Sequence, residues 1–329
     1  MENAAIDSLV MNGNNMQAGG DVASRLLASN FDVNALRTND VLRRDEWIDF
    51  DSTVVEVTRE RLGAVADLIN AGLRYDIPNG LGTTRLEWER SSDITDAEIS
   101  MAGVTSGQRD RQEFNLASIP LPIFHKDFRI NIRALESSRK LGLPMDKTLP
   151  AMATRKVAEI TEATLFSGAT IAGTNGTIYG YMNAPNRNTG SVTASWATAT
   201  GAQIVTDTLA MISAAVADNM FGPYTIYVSY AAYVHMGEDH KLESDKTILD
   251  RVMAIPAIAA VKPSTQVTGT NVLMVQMTSD VVDMVIGQQP TTVQWATEGG
   301  FIKHFKVLSI MVPRIKDDYD GRSGIVHYS

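Results

Sequence analysis

Three side chains that carry chemistry stand in a row at His125, Lys126 and Asp127, inside SIPLPIFHKDFRINIRALESSRKLG. A histidine and an aspartate converging on one substrate could move a proton. The surrounding pattern reads as a strand, however. Phe124, Lys126, Phe128, Ile130 and Ile132 then share one face, and His125, Asp127, Arg129, Asn131 and Arg133 share the other. His125 and Lys126 point to opposite sides, so only His125 and Asp127 can pair, and a structural role is expected. Glu87 and Glu89 are a second candidate, a carboxylate pair on one strand face of the type hydrolases use. Neighbouring Arg85 makes a solvated or subunit-facing charge patch the better reading. His235 and His240 lie five apart in VHMGEDHKLESDK and lack a third ligand at fixed spacing, which favours a solvated loop over a metal site. GLGTTR (80–85) starts like a dinucleotide fingerprint, but Arg85 stands where the third glycine belongs and a strand comes next, which predicts a turn. KDDYDG (316–321) imitates half a calcium loop, yet Lys316 and His327 would take the first and twelfth ligand positions, so an acidic turn is expected. No nucleophile elbow or phosphate loop occurs. These patterns point away from an enzyme, and no cofactor or metal is expected.

The elements that must position these residues are set by periodicity and breakers. Apolar residues at 62, 65, 66, 69 and 73 predict a helix over 52–74, with Ser52 or Asp51 at its start. The breaker run from Pro78 to Gly82 ends it. Strand patterns at 83–93 and 110–132 predict a long two-stranded protrusion with a soft tip, with Leu86 and Trp88 on one face. Such a hairpin is marginal alone and calls for a partner surface. A long helix is predicted over 148–167, with Leu149, Met152, Ala153, Val157, Ile160, Thr164 and Leu165 near one face and Gly168 as its stop. A third helix is expected at 201–221, then a strand at 224–229. ILDRVMAIPAIAAVKPS reads as alternating short helix and loop. NVLMVQM, VVDMVIG, TTVQWAT and HFKVLSIMVPRI read as four further strands.

Composition narrows the class. The 329 residues are 44% hydrophobic and 20% charged, ordinary for a folded protein of one large or several small cores. A net charge of −9 argues against a surface built throughout for nucleic-acid phosphates. The absence of cysteine removes disulfides and thiol chemistry. No apolar run is long enough for a membrane span, and the N-terminus lacks the features of a secretory signal. Residues 1–30, rich in Asn, Gly, Ser and Ala, read as a mobile arm, and 31–50 as an extended arm that needs a partner.

The ordered set LRRDEW (42–47), GLGTTRLEWE (80–89), IPLPIFHKDFRINIRALESSRKLG (119–142), RKVAEITEATLFSG (155–168), GYMNAPNRNTG (180–190), GPYTIYVS (222–229) and VIGQQPTT (285–292) resembles the major capsid proteins of tailed phages and the related encapsulin shell proteins. The resemblance implies an α+β tailed-phage major capsid fold. Its parts would be an N-terminal arm (1–50), a helix leading into the peripheral domain (51–82), an extended β-hairpin loop (83–122) and a peripheral domain (123–199) with a spine helix at 148–167. An axial domain (200–300) and a C-terminal return to the peripheral domain (301–329) would complete it. It implies self-assembly as pentamers and hexamers into an icosahedral virion capsid around double-stranded DNA, assembled in the host cytoplasm. Scaffolding, portal and cement proteins are the other partners it implies, with non-specific contact to packaged DNA and no membrane. Arg85, Glu87, Trp88, Glu89, Arg109 and Arg111 are then expected at inter-subunit contacts, and Arg43, Arg44, Arg155 and Lys156 as basic residues of the inner face. Some relatives weld subunits through a lysine on the extended loop. No lysine precedes Lys126 here, so no covalent cross-link is expected. An encapsulin-type compartment holding an enzyme is the alternative shell reading, which the N-terminal arm disfavours. A carboxylate-dependent hydrolase around Glu87 and Glu89 is the remote third.

Overall fold

The computed structural model describes residues 51–58, 62–92, 101, 111–133, 137, 148–171, 176–241, 246–297 and 302–329. Residues 51–58 are helical. In chain order the next elements are α1 (Gly63–Asn70), β1 (Arg74–Asp76), β2 (Arg85–Ser91), β3 (Phe114–Pro120), β4 (Phe124–Asn131) and α2 (Thr148–Ser167). Then come β5 (Ala169–Thr170), β6 (Thr177–Ile178), β7 (Asn188–Gly190), α3 (Gly201–Ala217), β8 (Tyr224–Val228), α4 (Tyr230–His235) and α5 (Ile248–Met253). The chain closes with β9 (Ile258–Pro263), β10 (Val272–Gln276), β11 (Val282–Thr297), β12 (Ile302–Ile315) and β13 (Ile325–Tyr328). These elements form two compact units.

The first unit gathers residues up to 84, 121–165 and 284–313. Its sheet has the order β1-β11-β12-β4, with β1 parallel to β11 and β12 antiparallel to β4. Phe128 and Phe305 face each other across β4 and β12 and stack at 5.1 Å, a cross-strand pair of the kind that fixes register. The predicted protrusion over 83–132 is therefore shorter: β2 pairs with β3, and β4 leaves to join β12. VVDMVIG and TTVQWAT are one continuous strand, β11, rather than two. The intervening Gln288 is buried and gives its amide to Thr291 Oγ1 at 3.0 Å, so this polar stretch stays in the strand.

The long helix occupies the predicted span, but its buried face differs from the predicted one. Leu149, Met152 and Ile160 are 43%, 51% and 50% exposed, while Thr154 and Thr161 are buried together with Thr164, Ala153, Val157 and Leu165 of the predicted face. Each threonine hydroxyl donates to the carbonyl four residues back, at 2.9, 2.8 and 2.7 Å. A hydroxyl satisfied this way can be buried as a small branched side chain. An apolar count scores threonine as polar and so rotates the face. The helix predicted over 52–74 also differs. Leu62 adopts φ −89°, ψ 75°, outside the helical region, and α1 starts afresh after it and ends at Asn70.

The second unit gathers 85–120, 166–283 and 314–329 around a five-stranded sheet, order β7-β13-β10-β8-β9. Strands β8 and β10 are buried at every position, the continuous apolar signature of a strand covered on both faces. On one side Ile204, Met211, Tyr224, Ile226, Met274 and Trp196 form the core with α3. Phe166, Tyr181 and Tyr227 form a separate aromatic group, with Phe166 edge-on to both tyrosines. Thr200 caps α3 in a reciprocal box with Gln203. Buried Asp207 of α3 accepts from the Thr193 amide and from the Trp196 indole at 3.0 Å, which ties the preceding loop to the helix. Strand β9 lies in the segment that reads as alternating short helix and loop: it is short and comes after a turn, so no periodicity marks it.

Candidate subunit-contact surface

Strands β2 and β3 pair antiparallel, placing Arg85 opposite Pro120, Glu87 opposite Ser118 and Glu89 opposite Leu116. Burial alternates along β2, with odd positions exposed and Leu86, Trp88 and Arg90 partly covered. The predicted alternation of the β2 faces is present. The hairpin thus has an inner face attached to its own chain and an outer face attached to nothing among the described residues. The outer face combines Arg85, Glu87 and Glu89 with Leu116 and Phe114, 59% and 62% exposed. Exposed apolar side chains beside charges in an unpaired two-stranded ribbon are the signature of a contact surface.

The inner face is held by polar anchors to residues 314–319. The Arg314 guanidinium lies over the Trp88 ring, 5.5 Å from its centroid. Arg90 pairs with Asp317 at 2.5 Å, and Asp317 also accepts from Asn186. Glu113, just before β3, accepts from the Tyr319 hydroxyl at 2.8 Å. That hydrogen bond and the Glu113 charge push the Tyr319 phenol above its ordinary pKa. Behind them Asp283 accepts from Arg314 Nε at 2.8 Å and pairs with Lys316 at 2.8 Å. Both strands of the hairpin are therefore fastened, and Trp88 works inside the chain, on the inner face. Sequence reading missed Arg90, Glu113, Asp317 and Tyr319. Arg90 and Asp317 are 227 positions apart, and KDDYDG carries no local mark of such a pairing.

His125, Asp127, GLGTTR and KDDYDG fall where strand and turn logic put them, whereas His235 closes α4 with its side chain 18% exposed instead of lying in a solvated loop. His125 and Asp127 share a face at 3.5 Å, both half-exposed, with Lys306 of β12 3.6 Å from Asp127. His235 contacts the Ala199 carbonyl at 2.8 Å and Glu238 at 3.3 Å. Among the described residues no group of three or more His, Asp or Glu side chains is placed to hold a metal ion. GLGTTR is a turn: Asn79 accepts from the Gly82 amide at 2.9 Å through its side chain and from the Thr83 hydroxyl at 2.8 Å through its carbonyl. KDDYDG is also a turn, closed by Gly321 at φ 78°, with Lys316 committed to Asp283 and the Ser279 carbonyl. Glu87 and Glu89 have no acid or orienting group opposite them on β3. Arg155 and Lys156 lie on α2 and both pair with Glu159, at 3.3 and 2.7 Å. Arg111 is exposed next to β3. Arg43, Arg44 and Arg109 lie outside the described residues. Among the described residues no helix is long and apolar enough to cross a membrane.

Comparison with known proteins adds the fold. A family of unknown function (DUF6260) matches residues 34–328. The type 1 encapsulin shell protein EncA of Myxococcus xanthus (strain DK1622) is 22% identical over 281 residues, 84% of this chain and 90% of its own length. The structure of a virus-like particle from Pyrococcus furiosus superposes with a TM-score of 0.60 at 16% identity, covering 85% of this chain and 98% of that one. The capsid of Myoviridae phage XM1 also gives 0.60, at 11% identity over 79% of this chain and 90% of its own. A native GTA particle capsid gives 0.55 at 10% identity over 89% and 93%. The fold is therefore the α+β fold of tailed-phage capsid and encapsulin shell proteins, as the sequence resemblance implied.

Proposed function

As the chain belongs to the family of unknown function DUF6260 and has the tailed-phage capsid fold, we propose that it is the subunit of a self-assembling shell. One observation carries this reading: a hairpin fastened to its own chain by one face, with exposed Phe114, Leu116, Glu87 and Glu89 on the other. Such a surface is satisfied when a second copy covers it. Repeating one modest contact around closed symmetry gives strong cooperative assembly without a large interface per pair. In this reading the hairpin is the extended loop, α2 the spine helix, and the subunits gather as pentamers and hexamers. The shell encloses double-stranded DNA as a major capsid protein, with Arg43, Arg44, Arg155 and Lys156 toward the interior. Glu159 already neutralises part of the α2 charge, so any contact there is weak and independent of sequence.

The likeness to an encapsulin shell protein supports a second reading, a compartment around an enzyme. Particles purified from the native source separate the two. Nuclease-protected double-stranded DNA inside them is the expected result; a stoichiometric enzyme and no protected DNA would favour the compartment. No lysine occurs before Lys126, so the hairpin offers no amine for a covalent weld. Boiled particles should run on a denaturing gel as a single band at 35.8 kDa. A ladder of multiples would overturn that expectation.

A further inference from the structure

His327 lies on β13, opposite Leu273 of β10 and Thr189 of β7. Both of its ring nitrogens are engaged, and the partners leave only one tautomer. Asn271 gives its amide hydrogen to the Thr268 carbonyl at 2.7 Å, which turns its Oδ1 toward His327 Nε2, at 2.9 Å. An acceptor oxygen there requires Nε2 to carry a hydrogen. Arg187 Nε lies 3.3 Å from Nδ1, and a guanidinium only donates, so Nδ1 must offer its lone pair. The same guanidinium donates through Nη1 to the Ala184 carbonyl at 2.8 Å. One run of hydrogen bonds thus joins the segment before β7, the strand β13 and the turn before β10. It holds only while the imidazole is neutral. A proton on Nδ1 would face the Arg187 N–H and set two cations side by side. We propose that His327 is an acid-sensitive clasp, which holds Arg187 and the edge strand β7 to β13 near neutral pH and releases them when the ring takes up a second proton.

The groups around the ring act in the same direction or not at all. Leu273 and Thr189, on the adjoining strands, do not titrate. Beyond Leu273 the row crosses the sheet to Tyr227 of β8 and Lys262 of β9, two and three strands away. Tyr227, on which Tyr181 stacks, stays neutral throughout the acid range. The row therefore adds a cation and no carboxylate. On the opposite face Val326 packs into the core with α3. There Asp207 is engaged by Thr193 and Trp196, and Asp218 by the Asn188 side chain and the Ser323 amide. Partial burial, and then the Arg187 charge, push the His327 imidazole below its ordinary 6.5. An open form returns the ring to that value and takes up a proton that the closed form refuses. The clasp is thus complete above about 6.5 and is lost as pH falls from there toward the depressed value of the closed form.

The clasp lies within one chain, so its test stands whether or not particles form. Hydrogen exchange of the full-length protein, read by mass spectrometry and corrected for intrinsic rates, follows it directly. Opening of residues 187–190 and 325–329 should rise at least threefold between about pH 7.5 and about pH 5, with about 30-fold as the limit that an ordinary imidazole sets. Residues of α3 should not follow. His327→Gln cannot titrate, and its profile should be flat. Arg187→Leu removes the opposing donor and should at least halve the rise, so a folding failure of one variant leaves the other. If neither folds, the wild-type profile decides alone. A wild-type rise below threefold, an equal rise in α3, or an undiminished rise in either folded variant would overturn the proposal.

Discussion

Asp283→Ala is expected to cost about 3–5 kcal/mol of stability, because it removes the buried carboxylate that pairs with the Arg314 guanidinium. Arg314 and Asp283 have side-chain exposures of 9% and 7%, and Lys316 shares the same carboxylate. At roughly 2–4 °C per kcal/mol, the thermal midpoint of the unassembled subunit should fall by about 6–20 °C. Removing both charges in Asp283→Leu/Arg314→Met should restore most of it, since an apolar pair of similar volume replaces the ion pair and Lys316, which is partly exposed, keeps its bond to the Ser279 carbonyl. The consequence extends to the hairpin, because Arg314 also lies over Trp88. Loosening it should raise hydrogen exchange in β2. An unchanged midpoint in Asp283→Ala would show that the ion pair carries no stability.

Gly80→Ala should be of similar size, about 3 kcal/mol, at the upper end of overpacking costs. A Cβ at Gly80 would stand 2.3–2.4 Å from the backbone of Gly287, and one at Gly287 would stand 2.8 Å from Gly80 Cα. These contacts are backbone against backbone, so no side-chain rotation relieves them. The turn after β1 would have to leave β11. Gly63→Ala is the matched control: among the described residues its Cβ meets only Glu162 Oε1, at 3.7 Å. A helical alanine there should hold or gain roughly 0.5–1 kcal/mol. Equal midpoints for Gly80→Ala and wild type in denaturant titration would contradict the close approach.

The turn identities of GLGTTR and KDDYDG, the faces of β2 and β4, and the span of α2 are all legible in the sequence, because each rests on local period or on breaker residues. The features that are not legible rest on contacts far apart in the chain. The buried side of α2 depends on threonines whose hydroxyls turn back to the helix. The break at Leu62 is tolerated because Glu162, from a distant helix, caps α1. The pairing of β4 with β12, rather than with the hairpin, depends on a partner more than 170 positions away. The contact surface is half legible. Glu87 and Glu89 announce an exposed face, whereas the anchors Arg90, Glu113, Asp317 and Tyr319 are ordinary surface residue types until the fold brings them together.

The central claim is that this chain closes into a shell with copies of itself. The direct measurement is the mass of the purified protein by light scattering, with its shape by negative-stain electron microscopy, across a range of salt and with co-expressed scaffold. Closed particles, or rings of five and six subunits that convert into them, are the predicted result. A homogeneous monomer of 35.8 kDa under every condition would contradict the account.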